Sequence, residues 1–221
     1  MNLHRSKGAS DYEGLPYDEL NCHQKLGRKS NGILTLANVV SLAGLVISSS
    51  GIKDCYQGNY KKGVAKIASG RLLDILDGFV ADKTKTKSEL GARLDAGTDK
   101  ILMAEALIGL GSKQILSNIV VASFATQNGA NVLSTYLYLK NHNNKDPKSS
   151  REGKLTTTFQ WLTIGGFVVN ELLEDQGRNK SSTLEVINWT NFVISNVIGT
   201  KASLNYFHDA TQSINVTSSE N

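Results

Sequence analysis

The chain contains few cysteines and histidines, the residues that build disulfide frameworks and many metal sites. Its 221 residues include two cysteines, Cys22 and Cys55, and four histidines. The two cysteines do not form a metal or redox spacing, and a single pair gives weak support for a disulfide. The histidines are scattered through polar segments, which argues against a histidine-based metal site. The sequence therefore assigns these residues no role.

Signals for secretion and for division into domains are also missing. The first thirty residues contain no apolar run that could serve as the core of a signal peptide, so none is expected. No linker rich in Pro, Gly or Ser divides the chain, which contains 2 prolines in all, and its length suits one domain. We therefore predict one domain over 31–208, preceded by a polar or amphipathic segment, 1–30, and followed by a disordered tail, 209–221.

Hydrophobic content is low on average. Apolar residues make up 40% of the chain and the mean hydropathy is −0.22, which suits a soluble globular protein better than a membrane protein. The net charge of +4 permits binding to an anionic membrane surface, to nucleic acid or to phosphorylated substrates, and selects none of them. The average hides segregation, however, because strongly polar stretches alternate with apolar ones. The segments must therefore be judged one by one.

Six apolar stretches have the length of helices. The first, 31–50, contains no charge and is near the length that crosses a hydrocarbon core. The others follow at 64–82, 92–111, 114–139, 155–173 and 184–207. Gly, Ser, Thr, Asn and Gln within several of them suit the close packing of membrane helices, and suit a soluble bundle equally. The predicted fold class is all-α, an integral membrane bundle of six transmembrane helices.

The distribution of Lys and Arg favours the membrane interpretation. With a cytoplasmic N-terminus, the segments 1–30, 83–87 and 140–154 lie in the cytoplasm and hold thirteen Lys and Arg, whereas the loops on the opposite side hold six. This bias is the one that the positive-inside rule expects. We therefore predict a multi-pass protein of the cell membrane, with both termini and the active site cytoplasmic. The alternative is that lysines simply collect in solvated loops.

Four aspartates interrupt the second and third apolar stretches. Asp74 and Asp77 are three residues apart, and Asp95 and Asp99 are four apart, so each pair lies on one face of a helix. The polar segment KTKTKSEL, followed by Gly91, predicts a turn between two antiparallel helices. In this hairpin Asp77 would lie opposite Asp95, and Asp74 opposite Asp99, at the same distances from the turn. The four carboxylates would therefore lie close together.

Four like charges in a low-dielectric setting must be protonated or neutralised. Lys66 and Arg71 lie on the same predicted helix and could pair with one carboxylate each, but an all-oxygen site of this density suits Mg²⁺, Mn²⁺ or Ca²⁺. The alternative is that the aspartates are solvated positions on exposed helix faces. The predicted metal ligands are Asp74, Asp77, Asp95 and Asp99.

The spacing of these residues resembles a family signature, D-x2-D-G-x2-A-R-x8-G-x3-D-x3-D, of the CDP-alcohol phosphotransferases. The matching positions are Asp74, Asp77, Gly78, Ala81, Gly91, Asp95 and Asp99. The segment SNGILTLAN resembles the opening segment of the family, and SELGARLDAGTDK and SREGKLTTTFQ resemble its phosphatidylglycerophosphate synthase branch. Together these features cover about residues 30–160.

The resemblance implies a phosphatidyltransferase that takes CDP-diacylglycerol and an alcohol acceptor and releases CMP. Glycerol 3-phosphate is the acceptor expected from the branch, with inositol phosphate or phosphatidylglycerol as alternatives. The resemblance further implies two Mg²⁺ or Mn²⁺ ions, with Asp99 acting either as general base or as a further metal ligand. A homodimer is also implied, and no nucleic-acid partner is expected.

The substrate-binding residues are expected around the signature. Gly78, Ala81 and Gly91 are expected to form a small-residue surface for cytidine, and the alternative is ordinary packing between helices. Asp82 stands where the signature has arginine, which places a negative charge near the expected nucleotide. An inactive membrane protein that binds CDP-lipid or metal therefore stays open as an alternative, although Lys83 or Arg93 could supply the missing charge.

A phosphorylated acceptor would need cations at the cytoplasmic mouth of the site. Arg151 and Lys154, at the start of the fifth apolar stretch, are the candidates, and Lys154 falls within the family-like GKLTTTFQ. The alternative is that both are positive-inside residues of a loop.

Overall fold

A computed structural model of the chain describes residues 16–30, 35–86, 89–141 and 150–218. After a short 3-10 turn at Tyr17–Glu19, these ranges form seven helices: α1 (Cys22–Lys29), α2 (Leu36–Tyr56), α3 (Tyr60–Thr84), α4 (Glu89–Ser112), α5 (Asn118–Asn141), α6 (Arg151–Asp175) and α7 (Ser182–Ser218). No β-strand occurs in the described ranges. The all-α class predicted from the sequence is confirmed.

The six long helices, α2 to α7, correspond in order to the six apolar stretches, except that residues 114–117 of the fourth stretch form the turn before α5. The helices extend beyond the apolar stretches because their ends are set by capping rather than by hydropathy. Thus α2 continues past residue 50 and ends at Tyr56. Two residues later, Gly58 takes a φ of +84°. The Gly58 N–H donates to the Cys55 carbonyl at 3.0 Å and the Asn59 N–H to the Asp54 carbonyl at 2.8 Å. This paired bonding satisfies the last carbonyls of the helix.

Only α2, among the described parts of the chain, is both long and apolar enough to cross a membrane by length and composition. The other long helices carry charged or amide side chains within their lengths; α3, for example, contains Arg71, Asp74 and Asp77. Six spans thus remain a prediction that composition alone does not establish.

The chain divides into two compact units within α4. The first unit, Met1–Glu105, contains α1, α2, α3 and the first part of α4, and the second, Ala106–Asn221, contains the rest. In the second unit α7 packs on both α5 and α6, and it reaches Ser218, whereas the sequence predicts a disordered tail from 209. The four aspartates of the signature all belong to the first unit.

Small residues bring α2 and α3 of the first unit into backbone contact. A Cβ placed on Gly51 would lie 2.8 Å from the Gly63 carbonyl oxygen, and one on Gly44 would lie 2.9 Å from the Gly70 carbonyl oxygen. Real Cβ atoms do not approach backbone so closely, so these glycines are required for the packing. The two helices therefore form a close antiparallel pair.

The contact between α2 and α3 repeats every seven residues and leads to the aspartates. Contacts spaced in this way pair Cys55 with Gly63, Ser48 with Gly70, and Ser41 with Asp77. A seven-residue repeat keeps one face of each helix against the other. The close packing of α2 and α3 thereby fixes the position of Asp77.

The interior of the second unit is unusually polar. Gln160 donates to Gln127 at 3.0 Å, and Gln127 donates to the Asn196 carboxamide oxygen at 3.0 Å, so that one network joins α5, α6 and α7. Large buried side chains such as Phe124 and Ile164 pack around it. Polar contacts of this kind hold helices together in membranes and in soluble bundles.

Candidate active site

Three carboxylates converge where α3 and α4 face each other. Asp74 and Asp77 lie on α3 and Asp95 lies on α4, and one oxygen from each lies within 4.8 Å of the other two. Asp77 is buried, Asp74 is half-buried and Asp95 is exposed. The cluster is thus anchored at the packed side of α3 and open on the side of α4.

Asp77 is held by a partner on α2. The Ser41 hydroxyl donates to the Asp77 carboxylate and also lies 3.1 Å from the Ala37 carbonyl oxygen. A buried carboxylate that accepts such a bond keeps one orientation, because moving it would leave it unpaired. Ser41 was not predicted as a site residue, although its position seven residues before Ser48, on the small-residue face of α2, is visible in the sequence.

Arg71 joins the two pairs of aspartates. Its guanidinium lies 3.2 Å from an Asp74 oxygen on the same helix and 2.7 Å from an Asp99 oxygen on α4. The sequence allows an ion pair between Arg71 and one carboxylate, and the structure gives it two. A guanidinium suits this role because its donors can serve two carboxylates at once.

Lys66 does not join the four aspartates of the signature, although its place on the same helix allowed such a pair. Its ammonium lies 2.6 Å from Asp54 and donates to the Ser50 hydroxyl at 2.9 Å, toward the other end of α2. The separation along α3 explains the difference, because Lys66 lies more than one turn before Arg71 and two turns before Asp74. Arg71 is therefore the cation of α3 that serves the site.

The charge of this group calls for further cations. Four aspartates carry −4, while Arg71 and Lys100, which interacts electrostatically with Asp99, contribute +2, so the formal charge of these six side chains is −2. Partly buried carboxylates repel one another strongly when uncompensated. Three carboxylate oxygens within a few ångströms are the donor set that Mg²⁺ and Mn²⁺ prefer. The residues present therefore fit a divalent metal.

Asp99 stands beside the three-carboxylate cluster rather than within it. Its side chain is 27% exposed and is oriented by Arg71. The four aspartates thus lie in two environments. The carboxylates of Asp74, Asp77 and Asp95 converge, whereas Asp99 is linked to Asp74 by the Arg71 guanidinium. Its role as base or as ligand remains a prediction.

Of the small residues of the signature, Gly78 and Ala81 lie on α3 and Gly91 lies on α4. A Cβ on Gly78 would meet no described atom within 4 Å, so packing between the described parts of helices does not account for this glycine. Ala81 and Gly91 are half-buried, and Asp82 is exposed near the end of α3. Lys83 extends over the Phe79 ring, with its ammonium 5.7 Å from the ring centroid.

The two candidate acceptor cations lie in the other unit. Arg151 and Lys154 are exposed in the first turn of α6. Ser150 caps this helix by accepting a hydrogen bond from the Gly153 N–H at 2.9 Å. Their predicted contact with an acceptor stays a prediction.

Comparison with known families identifies the class of protein. Residues 33–197, about three quarters of the chain, match the family model of the CDP-alcohol phosphatidyltransferases. The chain belongs to this family of transferases of phospholipid biosynthesis. The family is membrane-associated and uses divalent metals, in agreement with the aspartate cluster. No curated protein matches the chain.

Proposed function

We propose that the protein transfers the phosphatidyl group of CDP-diacylglycerol to the hydroxyl group of an alcohol and releases CMP. The observation that carries the proposal is the convergence of Asp74, Asp77 and Asp95, whose oxygens lie within 4.8 Å of one another. In a family that transfers phosphatidyl groups from CDP-alcohols, such a cluster is suited to a diphosphate and its metal ions. Two Mg²⁺ or Mn²⁺ ions are proposed.

The three carboxylates would hold the metal ions. Bound divalent ions neutralise a diphosphate and stabilise the charge that develops on the leaving oxygen. The protein supplies orientation, since Ser41 fixes Asp77 and Arg71 fixes Asp74. The exposed position of Asp95 leaves the cluster accessible from the α4 side.

Asp99 is the proposed general base. Its carboxylate takes the proton of the acceptor hydroxyl while that oxygen forms a bond to the phosphatidyl phosphorus. The bond from this phosphorus to the bridging oxygen breaks, and the electron pair leaves with CMP. Arg71, 2.7 Å from one Asp99 oxygen, orients the carboxylate for this step. A role as a further metal ligand is the alternative for Asp99.

The open surface beside Gly78 is the proposed nucleotide position. A Cβ added at this glycine would meet no described atom within 4 Å, which leaves room there for a flat base or a diphosphate. Ala81 follows one turn later on the same face and extends this surface toward Gly91 on α4.

Glycerol 3-phosphate is the proposed acceptor, which makes phosphatidylglycerophosphate the product. The support is the sequence resemblance of SELGARLDAGTDK and SREGKLTTTFQ to the corresponding branch, together with the exposed cations Arg151 and Lys154. Both cations stand at a helix N-terminus, which also favours a phosphate. Inositol phosphate and phosphatidylglycerol are the competing acceptors within the same chemistry.

We place α2 to α7 in the membrane, with the aspartates facing the cytoplasm. The length of the six helices and the bias of Lys and Arg between alternate loops support this topology. A site at this position would meet a lipid substrate from the bilayer and a soluble acceptor from the cytoplasm.

Asp82 supports a second candidate function, in which the protein binds CDP-lipid or metal without turnover. Its carboxylate is exposed near the end of α3 and stands in place of the arginine of the signature. A negative charge beside a diphosphate weakens nucleotide binding. The two candidates differ in whether CMP is released.

The test is CMP release from CDP-diacylglycerol by purified protein in bilayers, with Mg²⁺, Mn²⁺ or a chelator, and with each acceptor in turn. We expect release that requires both a metal and glycerol 3-phosphate. Release with inositol phosphate or phosphatidylglycerol alone would change the acceptor but keep the reaction. No release from folded protein with any acceptor, combined with retained binding of CDP-diacylglycerol, would support the second candidate.

A further inference from the structure

The part of α7 from Tyr206 to Ala210 is packed against the other helices of the second unit. Ala210 is buried, and its carbonyl oxygen accepts a hydrogen bond of 2.9 Å from the Asn141 carboxamide at the end of α5. One turn earlier, the Tyr206 hydroxyl oxygen accepts from the Ser150 backbone N–H at 2.9 Å. This part of α7 therefore holds both the last residue of α5 and the residue that precedes α6.

Tyr206 fixes the point at which α6 begins. Ser150 is the N-cap residue of α6, and its side-chain oxygen accepts from the Gly153 N–H. The Ser150 N–H lies outside the hydrogen-bond pattern of the helix, so its acceptor must come from elsewhere, and the Tyr206 hydroxyl supplies it. The glycine leaves room for both contacts, because a Cβ on Gly153 would lie 3.2 Å from the Ser150 Oγ and 3.2 Å from the Tyr206 hydroxyl oxygen. The direction in which the chain enters α6 thus depends on α7.

The first turn of α6 carries the two cations that the proposed function assigns to the acceptor. Arg151 and Lys154 are exposed there, and Glu152 follows Arg151 directly. The Glu152 carboxylate lies 3.6 Å from the Lys201 ammonium of α7, which offsets its negative charge. These three cations and one carboxylate have a formal charge of +2, which suits the dianion of a phosphate monoester.

We propose that Tyr206 is a positioning residue for the acceptor. Its hydroxyl group holds Ser150, and with it the first turn of α6, so that Arg151 and Lys154 present a fixed pair of cations to the acceptor phosphate. The inference rests on the proposed function, because it takes these two cations as the site of that phosphate. A backbone that is ordered before binding loses less freedom when the ligand binds. Removal of the hydroxyl should therefore weaken acceptor binding and leave the chemistry at the aspartates unchanged.

Tyr206→Phe removes the hydroxyl and keeps the ring, and Tyr136→Phe is its matched control. Tyr136 lies on α5 in the same unit and is 62% exposed, so the same chemical change there should have no effect. Hydrogen exchange of the full chain in bilayers, followed by mass spectrometry, reports the order of the first turn of α6 without any ligand. We expect faster exchange in peptides that include residues 150–157 for Tyr206→Phe, and no change for Tyr136→Phe. Unchanged exchange in the Tyr206→Phe protein would overturn the proposal.

Acceptor binding is measured by equilibrium dialysis of radiolabelled glycerol 3-phosphate against the protein in bilayer discs, with inorganic phosphate as the competitor. The affinity of Tyr206→Phe for both phosphates should fall by roughly threefold to tenfold, the loss expected from one hydrogen bond of ordinary strength. Its affinity for CDP-diacylglycerol should stay the same. In steady-state kinetics, the KM for glycerol 3-phosphate should rise by the same factor while kcat is unchanged.

A double-mutant cycle shows whether the hydroxyl acts through the cations. In an Arg151→Gln background one of the positioned cations is gone, so Tyr206→Phe should have a smaller effect on the binding of glycerol 3-phosphate than in the wild-type background. Full additivity of the two substitutions would overturn the proposal, as would an equal loss of affinity for glycerol 3-phosphate and CDP-diacylglycerol, which is the result of a general structural role.

Failure of this inference is distinguishable from failure of the proposed function. Equal affinities of the wild-type and Tyr206→Phe proteins for glycerol 3-phosphate would overturn the inference and leave the proposed acceptor in place. No binding of glycerol 3-phosphate to folded wild-type protein would overturn the proposed acceptor, and this inference with it. Neither binding nor hydrogen exchange depends on CMP release.

Discussion

Ser41→Ala removes the hydroxyl that donates to the buried carboxylate of Asp77. Asp77 is 7% exposed, so water replaces the lost partner poorly. A hydrogen bond to a charged group contributes about 1.5–3 kcal/mol. Loss of groups that orient metal ligands lowers metal affinity by about 10–100-fold. We therefore expect the metal concentration that gives half-maximal activity to rise by about tenfold or more.

The assay is a Mg²⁺ and Mn²⁺ titration of CMP release, which separates metal affinity from turnover at saturating metal. Turnover at saturation should recover to near the wild-type value, because Ser41 positions a ligand and does not touch the reacting groups. Ser41→Thr keeps the hydroxyl and should restore most of the metal affinity.

Ser48→Ala is the matched control for this prediction. Ser48 is buried on the same face of α2, seven residues away, but it meets Gly70 instead of a carboxylate. The control should leave the metal titration unchanged. A Ser41→Ala protein with the same titration curve as Ser48→Ala would refute the reasoning that Ser41 holds Asp77 for metal binding.

Three further substitutions test the helix packing, the ion pairs of the site and the nucleotide position. Gly51→Ala places a Cβ 2.8 Å from a backbone carbonyl of α3, which should destabilise the fold by about 1–3 kcal/mol and lower the thermal unfolding temperature. As the control, Gly165→Ala adds a Cβ that meets no described atom within 4 Å, so it should leave the unfolding temperature unchanged or raise it. Equal effects of the two substitutions would contradict the packing argument. Arg71→Gln removes the partner of two carboxylates and should lower turnover by about 100-fold while the protein stays folded; wild-type turnover would exclude its role. Asp82→Arg should lower the KM for CDP-diacylglycerol by roughly tenfold, whereas unchanged kinetics from an active wild-type protein would show that this position does not contact the nucleotide.

The helices and the aspartate cluster could be predicted because they depend on local sequence. Apolar stretches of helical length mark α2 to α7, and carboxylates three or four residues apart must share a helix face. The polar segment between 83 and 91 then requires a turn, and α3 does end at Thr84 and α4 does begin at Glu89. With the turn fixed, the meeting of Asp77 and Asp95 follows.

The partners of the aspartates could not be predicted because they depend on how helices pack. The contact of Ser41 with Asp77 requires α2 and α3 to touch through Gly44 and Gly70, and the sequence does not say which glycines face each other. Likewise, Lys66 pairs with Asp54 rather than with an aspartate of the signature because of the way α2 and α3 are offset along their axes. The hydrogen bond from the Gln24 side chain on α1 to the Lys85 carbonyl joins segments far apart in the chain, so no local sequence pattern predicts it.

The number of membrane spans shows another limit. Hydropathy singles out α2, because α3 and α4 carry the charges of the site within their lengths. Charges that face a cavity lower the average hydropathy of a segment without preventing it from crossing a membrane. Loop charge and helix length are therefore the properties that support six spans.

The most direct test of the central claim is metal-dependent CMP release by the Asp95→Asn protein. This change removes one charge from the three-carboxylate cluster and keeps the size of the side chain, so the protein should stay in the membrane with its fold intact. Asp175→Asn, which makes the same change at an exposed position at the end of α6, is the control. We predict that Asp95→Asn abolishes CMP release at every Mg²⁺ or Mn²⁺ concentration while Asp175→Asn retains it. Wild-type release by the Asp95→Asn protein would contradict the assignment of the metal site.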